Sequence, residues 1–324
     1  MTKKIVFLDR ESLDARVRPF NFPHEYVEHA STWTPEEIVS RLQGAEIALI
    51  NKVPMRAETL KQLPDLKLIA VAATGTDVVD KAAAKAQGIT VVNIRNYAFN
   101  TVPEHVVGLM FALRRAIVPY ANSVRRGDWA KSKQFCYFDY PIYDIAGSTL
   151  GIVGYGALGK SIAKRAEALG MKVIAWSQNL TTEKAKAAGA ELVSKEQLFS
   201  ESDAVSIHLV LGPRSRGLIG AADFARMKKG AIFINTSRGP IVDEAALIAA
   251  IRGGRIIAAL DVFDREPLPS DNPFRDLPNT VLTPHLGFTT VEGLHAFYQP
   301  AMENILAFLD GKPVNLMNPE VLKR

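Results

Sequence analysis

Residues 149–177 read TLGIVGYGALGKSIAKRAEALGMKVIAWS: an apolar strand, a glycine turn, a helix-like run and a second strand. Few folds accept that order. Gly154, Gly156 and Gly159 stand in a G-x-G-x-x-G spacing, and a bare match of that kind means little until strand and helix flank it, as they do here. The first glycine permits a tight turn, the second lets the backbone approach a pyrophosphate, and the third lets the helix pack on the strand. The N–H groups of Ala157 and Leu158, at the helix start, then face the phosphates. The segment predicts a dinucleotide-binding unit.

The rest of the chain repeats the rhythm. In the first hundred residues, the runs KIVFLD, AEIALINK, LKLIAVAATG and ITVVNI read as strands separated by helix-like stretches. Thr34, Pro35 and Glu37 supply an N-cap, a Pro at N1 and an acid at N3, so EEIVSRLQG reads as a helix closed by Gly44. Residues 101–126 form one long helix by the same reading, apolar nearly all round at its start. After the turn at 154–159, strands follow at DAVSIHL, AIFINT, IIAALDVF and TVLTPH. The closing run VEGLHAFYQPAMENILAFLDG is helical and is expected to return to the first domain. With 324 residues the chain suits two domains. The fold class is α/β: two doubly wound parallel-sheet domains, a Rossmann unit over 101–289 inserted in a flavodoxin-like domain of 1–100 plus 290–324.

Composition narrows the function classes. Hydrophobic residues at 48% and charged residues at 23% are ordinary for a soluble globular protein. No apolar run is long enough for a signal peptide or a membrane span, so a cytoplasmic protein with no membrane partner is expected. The single cysteine, Cys136, excludes an internal disulfide and a cysteine-based metal site, and no metal is expected. The net charge of +5 comes without any Lys/Arg run longer than two, and the pairs Arg125-Arg126 and Lys228-Lys229 precede glycines that read as helix ends. An anion site fits better than a nucleic-acid surface.

Three strand ends of the second domain carry polar residues that the fold does not require. Arg238 follows INTS, Glu266 follows ALDVFDR, and His285 follows VLTP. Ligands gather at the carboxyl ends of parallel strands, so the three should converge on one crevice. The tip of the second Rossmann strand is also informative. An acid normally stands there to hold the adenosine ribose, about 20 residues after the glycines, whereas this chain has Ser177, Gln178 and Asn179 with Lys184 nearby. Hydroxyl and amide groups can donate to a phosphate. A site that uses NADP, prefers it moderately and still accepts NAD is expected.

Through GSTLGIVGYGALG, MKKGAIFINTSRGPIVDEAAL, AALDVFDREPLP and NTVLTPHLG, the second series resembles the D-isomer-specific 2-hydroxyacid dehydrogenases. The first domain agrees, with NK at 51–52, AATGTDVVD at 72–80 and NTVPEHVVGLMFALRR at 100–115. The resemblance implies that His285 donates a proton to the carbonyl of a 2-oxo acid while a nicotinamide gives hydride. It implies that Glu266 holds that imidazole in its protonated form and that Arg238 binds the substrate carboxylate. Backbone N–H groups around Ala73, Thr74 and Gly75 would bind the same carboxylate, in what is then the substrate-binding domain. Thr236 and Ser237 would line the cofactor, and Asp261 would face the nicotinamide carboxamide. A homodimer built through the cofactor domains, with Trp129 in its loop, is implied too.

Within the family, AATGTD, NTVPEH and SKQFCYFDYPI are most similar to the glycerate dehydrogenase and hydroxypyruvate reductase group, which makes a small 2-oxo acid of the hydroxypyruvate or glyoxylate type the expected substrate, reduced to the D-2-hydroxy acid. Alternatives are a larger or aromatic 2-oxo acid, or a dinucleotide-sensing corepressor that keeps the same triad but uses long disordered flanks. Two departures bear on detail: Val210-Leu211-Gly212-Pro213 replaces a Pro and Thr pattern beside the adenine, and Phe288-Thr289 stands where relatives have small residues.

Overall fold

The computed structural model describes residues 2–12, 20–95 and 99–323, the side chains of 294–298 and 323 excepted. The strands are β1 Lys3–Phe7, β2 His24–Glu28, β3 Ile47–Ile50, β4 Leu68–Val71, β5 Thr90–Asn93, β6 Thr149–Val153, β7 Lys172–Trp176, β8 Glu191–Leu192, β9 Ala204–Ile207, β10 Ala231–Asn235, β11 Ile256–Leu260 and β12 Thr280–Leu282. The helices are α1 Pro35–Leu42, α2 Ala57–Leu60, α3 Lys81–Ala86, α4 Thr101–Arg114, α5 Ile117–Arg125, α6 Ala157–Ala168, α7 Thr182–Lys186, α8 Lys195–Glu201, α9 Ala221–Arg226, α10 Glu244–Arg252 and α11 Val291–Leu309.

The chain divides into two compact units, Met1–Tyr97 with Thr289–Arg324, and Ala98–Phe288. The first holds a five-stranded sheet in the order β2-β1-β3-β4-β5, every pair parallel. This is the flavodoxin-like order. Every residue of β3, β4 and β5 is buried, which is why these strands read as unbroken apolar or small-residue runs rather than alternating ones. The predicted first helix is α1, where the Thr34 hydroxyl accepts from the Glu37 N–H while Glu37 takes the Thr34 N–H. Gly44, at φ 70°, turns the chain after it.

A C-terminal strap completes this unit. The chain after α11 runs beside β5, with Met317 N donating to the Val91 carbonyl at 2.8 Å. Asn318, buried, accepts from Val91 N at 2.9 Å and donates to the Ile89 carbonyl at 2.8 Å. Asn304 and Asn315 continue the ladder, Asn304 to the Asn93 carbonyl and Asn315 to the Asn304 amide oxygen. The strap covers an edge that would otherwise present unpaired backbone groups.

The second unit holds a seven-stranded parallel sheet in the order β12-β11-β10-β9-β6-β7-β8. The chain reverses direction of winding between β6 and β9, the place where a doubly wound sheet opens a crevice at its carboxyl edge. One face of this sheet packs a cluster that includes Val153, Ile174, Phe199, Phe224 and Phe233, the last two rings meeting edge to face at 5.2 Å. Helix α4 lies against α6, β10 and β11.

The structure corrects the sequence reading in three places. The single helix over 101–126 is two helices, α4 and α5, with Ala116 left-handed at φ 47° between them. The Arg114 carbonyl, which a continuing helix would bond internally, accepts instead from Tyr143 N at 2.9 Å. Strands β2 and β8 were not expected: β2 is a partly exposed edge with the polar sequence HEYVE, and β8 is two residues long. Lys228 lies beyond the end of α9 and pairs with Asp203 at 3.0 Å. Among the described residues, no helix is long and apolar enough to cross a membrane.

Replacing Asn318 with Ala would leave the Val91 N–H and the Ile89 carbonyl buried without partners, at about 1–3 kcal/mol for each such group. We expect Asn318→Ala to lose about 2–4 kcal/mol in urea unfolding followed by circular dichroism; a change within about 0.5 kcal/mol would show that the strap adds nothing.

Candidate active site

The glycine turn after β6 divides its work among three positions. Gly154 sits at φ 97°, its N–H bonded to the Trp176 carbonyl at 2.8 Å, and a Cβ on it would stand 2.5 Å from the His208 carbonyl oxygen. A Cβ on Gly159 would stand 2.5 Å from the Gly154 carbonyl oxygen, so α6 lies too close to the turn for any side chain there. Gly156 differs: nothing lies within 4 Å of where its Cβ would be. It is the N-cap of α6 without a side-chain cap, so the first-turn N–H groups of Ala157 and Leu158 have no intrahelical acceptor. An open cradle above a helix start fits a pyrophosphate.

The walls of the cradle are polar at the tips of β7 and β10. Ser177 is partly buried, Gln178 and Asn179 are exposed, and the Ser177 carbonyl accepts from Leu180 N at 3.1 Å to turn the chain toward α7. Thr181 caps α7 by accepting from Lys184 N at 3.3 Å, and Lys184 is exposed. Beyond β10, the Ser237 hydroxyl donates to the Ile207 carbonyl at 2.6 Å, while the Thr236 hydroxyl oxygen is buried with no protein partner among the described residues. An orphaned hydroxyl at this strand tip fits a polar group of a bound cofactor.

His208, just past β9, did not stand out in the sequence. Its Nε2 lies 2.8 Å from the Ser206 hydroxyl, and burial lowers its imidazole to about 3, so the ring is neutral at physiological pH. Its backbone carbonyl, not its ring, is the group that Gly154 must clear.

Arg238, Glu266 and His285 leave successive strand ends. The Asn235 side chain accepts from Ser237 N and donates to the Arg238 carbonyl, both at 3.0 Å, which shapes the turn after β10. A Cβ on Gly239 would come within 2.1 Å of the Phe263 carbonyl carbon, so the Arg238 loop lies directly on the segment leading to Glu266. The Arg238 side chain is partly buried, with one guanidinium nitrogen on the Ser237 carbonyl at 2.8 Å. Glu266 is tied down by one oxygen, which accepts from Phe263 N at 2.9 Å. Its other oxygen takes His285 Nδ1 at 2.5 Å. That bond leaves His285 Nε2 as the nitrogen available for chemistry.

Asp261 is 2% exposed and anchors the turn that carries His285. It accepts from the Thr283 hydroxyl at 2.6 Å, Leu286 N at 2.9 Å and Gly287 N at 2.8 Å. Burial pushes its carboxyl up, but the His105 imidazole 3.6 Å away and the bonds from Thr283 and the two amides outweigh that and hold it below the ordinary carboxylate range.

Ala73, Thr74 and Gly75 follow β4 in the first unit. The Ala73 carbonyl accepts from Ile94 N at 3.3 Å, and Thr74 is held twice: its hydroxyl donates to the Ile94 carbonyl at 3.2 Å and its carbonyl accepts from the Asn93 side chain at 2.8 Å. Asn93 is a further residue that the sequence did not flag, although its polar side chain at the end of a fully buried strand is the kind of signal that marks one. In the NK pair, Asp9 accepts from the backbone N–H groups of both Asn51 and Lys52, at 2.9 and 2.7 Å.

Comparison with known proteins gives the family. The profile of the D-isomer specific 2-hydroxyacid dehydrogenase, NAD binding domain, matches residues 107–287. The chain belongs to this dehydrogenase family. It is 67% identical over 320 residues to a glycerate dehydrogenase of Methylorubrum extorquens, covering 98% of this chain and 99% of that one. It is 36% identical over 286 residues to a hydroxypyruvate reductase of Blautia hydrogenotrophica, covering 87% and 88%. Among solved structures, an acyclic imino acid reductase in complex with NADPH and D-Arg superposes with a TM-score of 0.84 at 27% identity, covering 97% of this chain and 99% of that one. In this family member, then, the cradle belongs to a domain that binds a nicotinamide dinucleotide, and the His285–Glu266 pair stands at the carboxyl edge of the same sheet.

Proposed function

We propose that this dehydrogenase reduces a small 2-oxo acid, hydroxypyruvate or glyoxylate first, to the D-2-hydroxy acid, and runs the reverse reaction. The observation that carries the proposal is the 2.5 Å bond between His285 Nδ1 and Glu266, held on strand ends beside the glycine cradle. The kinship with a glycerate dehydrogenase supports the substrate class. When bound, the nicotinamide supplies hydride to the carbonyl carbon, or takes it in the reverse direction.

The protein's part is proton transfer and orientation. In reduction, His285 gives the proton on Nε2 to the carbonyl oxygen, and Glu266, by accepting Nδ1–H, fixes the ring's orientation. The planar Arg238 guanidinium matches the substrate carboxylate with two parallel bonds. Backbone N–H groups at Ala73, Thr74 and Gly75 would also bind a substrate carboxylate, with Asn93 fixing the peptide that follows Thr74. When the cofactor is bound, Ala157, Leu158 and the three glycines would hold its pyrophosphate, Thr236 and Ser237 would line it, and Asp261 would lie toward its carboxamide.

A panel of 2-oxo acids assayed with NADH and NADPH tests this reading together with two variants. We expect hydroxypyruvate or glyoxylate to lead the panel, His285→Ala to lose about 10²–10⁴ in kcat with cofactor affinity kept, and Glu266→Gln to lose a smaller factor. A leading aromatic substrate, or a His285→Ala enzyme at the wild-type rate, would overturn the assignment.

For the cofactor we infer a moderate preference for NADP with NAD still accepted. Support comes from the absence of an acid at Ser177, Gln178 and Asn179 and from Lys184 on α7 close behind. An Asp at 177 would accept from both ribose hydroxyls and repel a 2′-phosphate. Ser177→Asp should therefore collapse kcat/KM with NADPH while that with NADH holds or rises. A wild type that already favours NADH about tenfold, roughly 1.4 kcal/mol, contradicts the inference.

We also infer a homodimer through the second unit. Large apolar side chains are exposed along one stretch: Ile117, Val118 and Val124 on α5, then Trp129, Phe135 at 90% and Phe138 at 81%. Such a concentration supports an interface with a second copy. Sedimentation at micromolar concentration should give twice the chain mass of 35.5 kDa, and a monomer there rejects the dimer.

A further inference from the structure

Beside the proton-donating pair lies a histidine with no part in the chemistry so far. His105, near the start of α4, has a side chain only 17% exposed, with Nε2 3.2 Å from the Thr283 hydroxyl and 3.6 Å from the Asp261 carboxylate. Asp261 decides the direction of these bonds. Held below the ordinary carboxylate range, it is ionised at neutral pH and can only accept. The single proton of the Thr283 hydroxyl is given to Asp261 at 2.6 Å, so the Thr283 oxygen must accept from His105. His105 therefore carries its hydrogen on Nε2, and a one-way relay runs from His105 through Thr283 to Asp261.

At its far end the relay meets the backbone that carries the proton donor. Asp261 receives the N–H groups of Leu286 and Gly287, the two residues after His285, and His285 N donates to the Thr283 carbonyl at 3.0 Å. Between these anchors His285 has φ 53°, a left-handed conformation that a side-chain-bearing residue keeps only where its surroundings hold it. The imidazole of His105 also fills the space over the turn: a Cβ on Gly287 would lie 3.0 Å from its Cδ2 and 2.9 Å from Asp261.

We propose that His105 is a positioning residue for His285: acting through Thr283 and Asp261, it holds the left-handed turn that aims the His285 imidazole at the substrate carbonyl. The inference rests on His285 as proton donor. Misplacement of a reacting group by about 1 Å can cost as much as about 10²-fold in rate, so even slight loosening of this turn is measurable in kcat.

The test uses the full-length chain in four variants, His105→Phe, His105→Gln, Thr283→Val and His285→Ala. Each is assayed for kcat and KM with hydroxypyruvate and for cofactor affinity by nucleotide fluorescence. Phe keeps the ring but cannot donate, and we expect kcat to fall about tenfold or more with cofactor affinity within about twofold. Gln places an amide N–H near the lost Nε2–H and should recover most of the loss, which a role in packing alone would not produce. Wild-type kcat in His105→Phe, or a His105→Gln enzyme as impaired as the Phe variant, would overturn the proposal. Should His105→Phe fail to fold, Thr283→Val breaks the same relay with a side chain of equal shape: a comparable fall in kcat supports the proposal and an unchanged kcat overturns it. An inactive His285→Ala in the same assay keeps a failure specific to His105, whereas an active one overturns the reading of His285 and this proposal with it.

Discussion

The register of the last parallel strand pair governs the site. Leu260 of β11 lies opposite Leu282 of β12, and Thr283 N continues the ladder to the Leu260 carbonyl at 3.0 Å. Asp261 and Thr283 therefore leave the sheet side by side, near enough for a 2.6 Å bond, and the turns that follow carry Glu266 and His285 back toward each other. A slip of one residue would turn Asp261 to the other face, because side chains alternate along a strand. The Ala258–Thr280 and Ala259–Val281 pairs set the same register upstream.

Two carboxylates near His285 divide two tasks according to their surroundings. Asp261 is sealed, its oxygens engaged by a hydroxyl and two amides, and it shapes backbone. Glu266 is partly open, held at one oxygen by Phe263 N, and presents the other to the imidazole. Exchange of these roles is prevented by burial. A buried carboxylate held by three donors is an anchor, whereas one at the rim of a crevice keeps an oxygen to present to its partner.

Much of this was legible in the sequence because the residues concerned break local rules. Glycines at 154, 156 and 159, a histidine between Pro284 and Leu286, and the Thr34-Pro35-Glu37 cap each carry a local physical reason. The positions that stayed hidden obey local rules and act at long range. Asn93 ends a strand as any asparagine might, and only the fold brings Thr74, Asn304 and Asn315 to it. Thr283 looks like an ordinary β-former until Asp261 and His105 are beside it. The break at Ala116 had one local signal, Pro119, which has no N–H for the Arg115 carbonyl in a continuing helix and falls instead in the first turn of α5; the partner of the freed Arg114 carbonyl, Tyr143, is 29 residues away and was not legible.

The C-terminal strap also orders events during synthesis. The second unit, Ala98–Phe288, is one continuous stretch, whereas the first is split around it and needs residues 289–324 for completion. Until Asn304, Asn315 and Asn318 have left the ribosome, the free edge of β5 has no cover and the Val91 N–H no partner. The nascent chain thus carries an open β-edge through the making of some two hundred residues, the form in which unpaired strands recruit one another. Burial of β5 between its neighbour β4 and the arriving strap makes the oldest part of the chain the last to close.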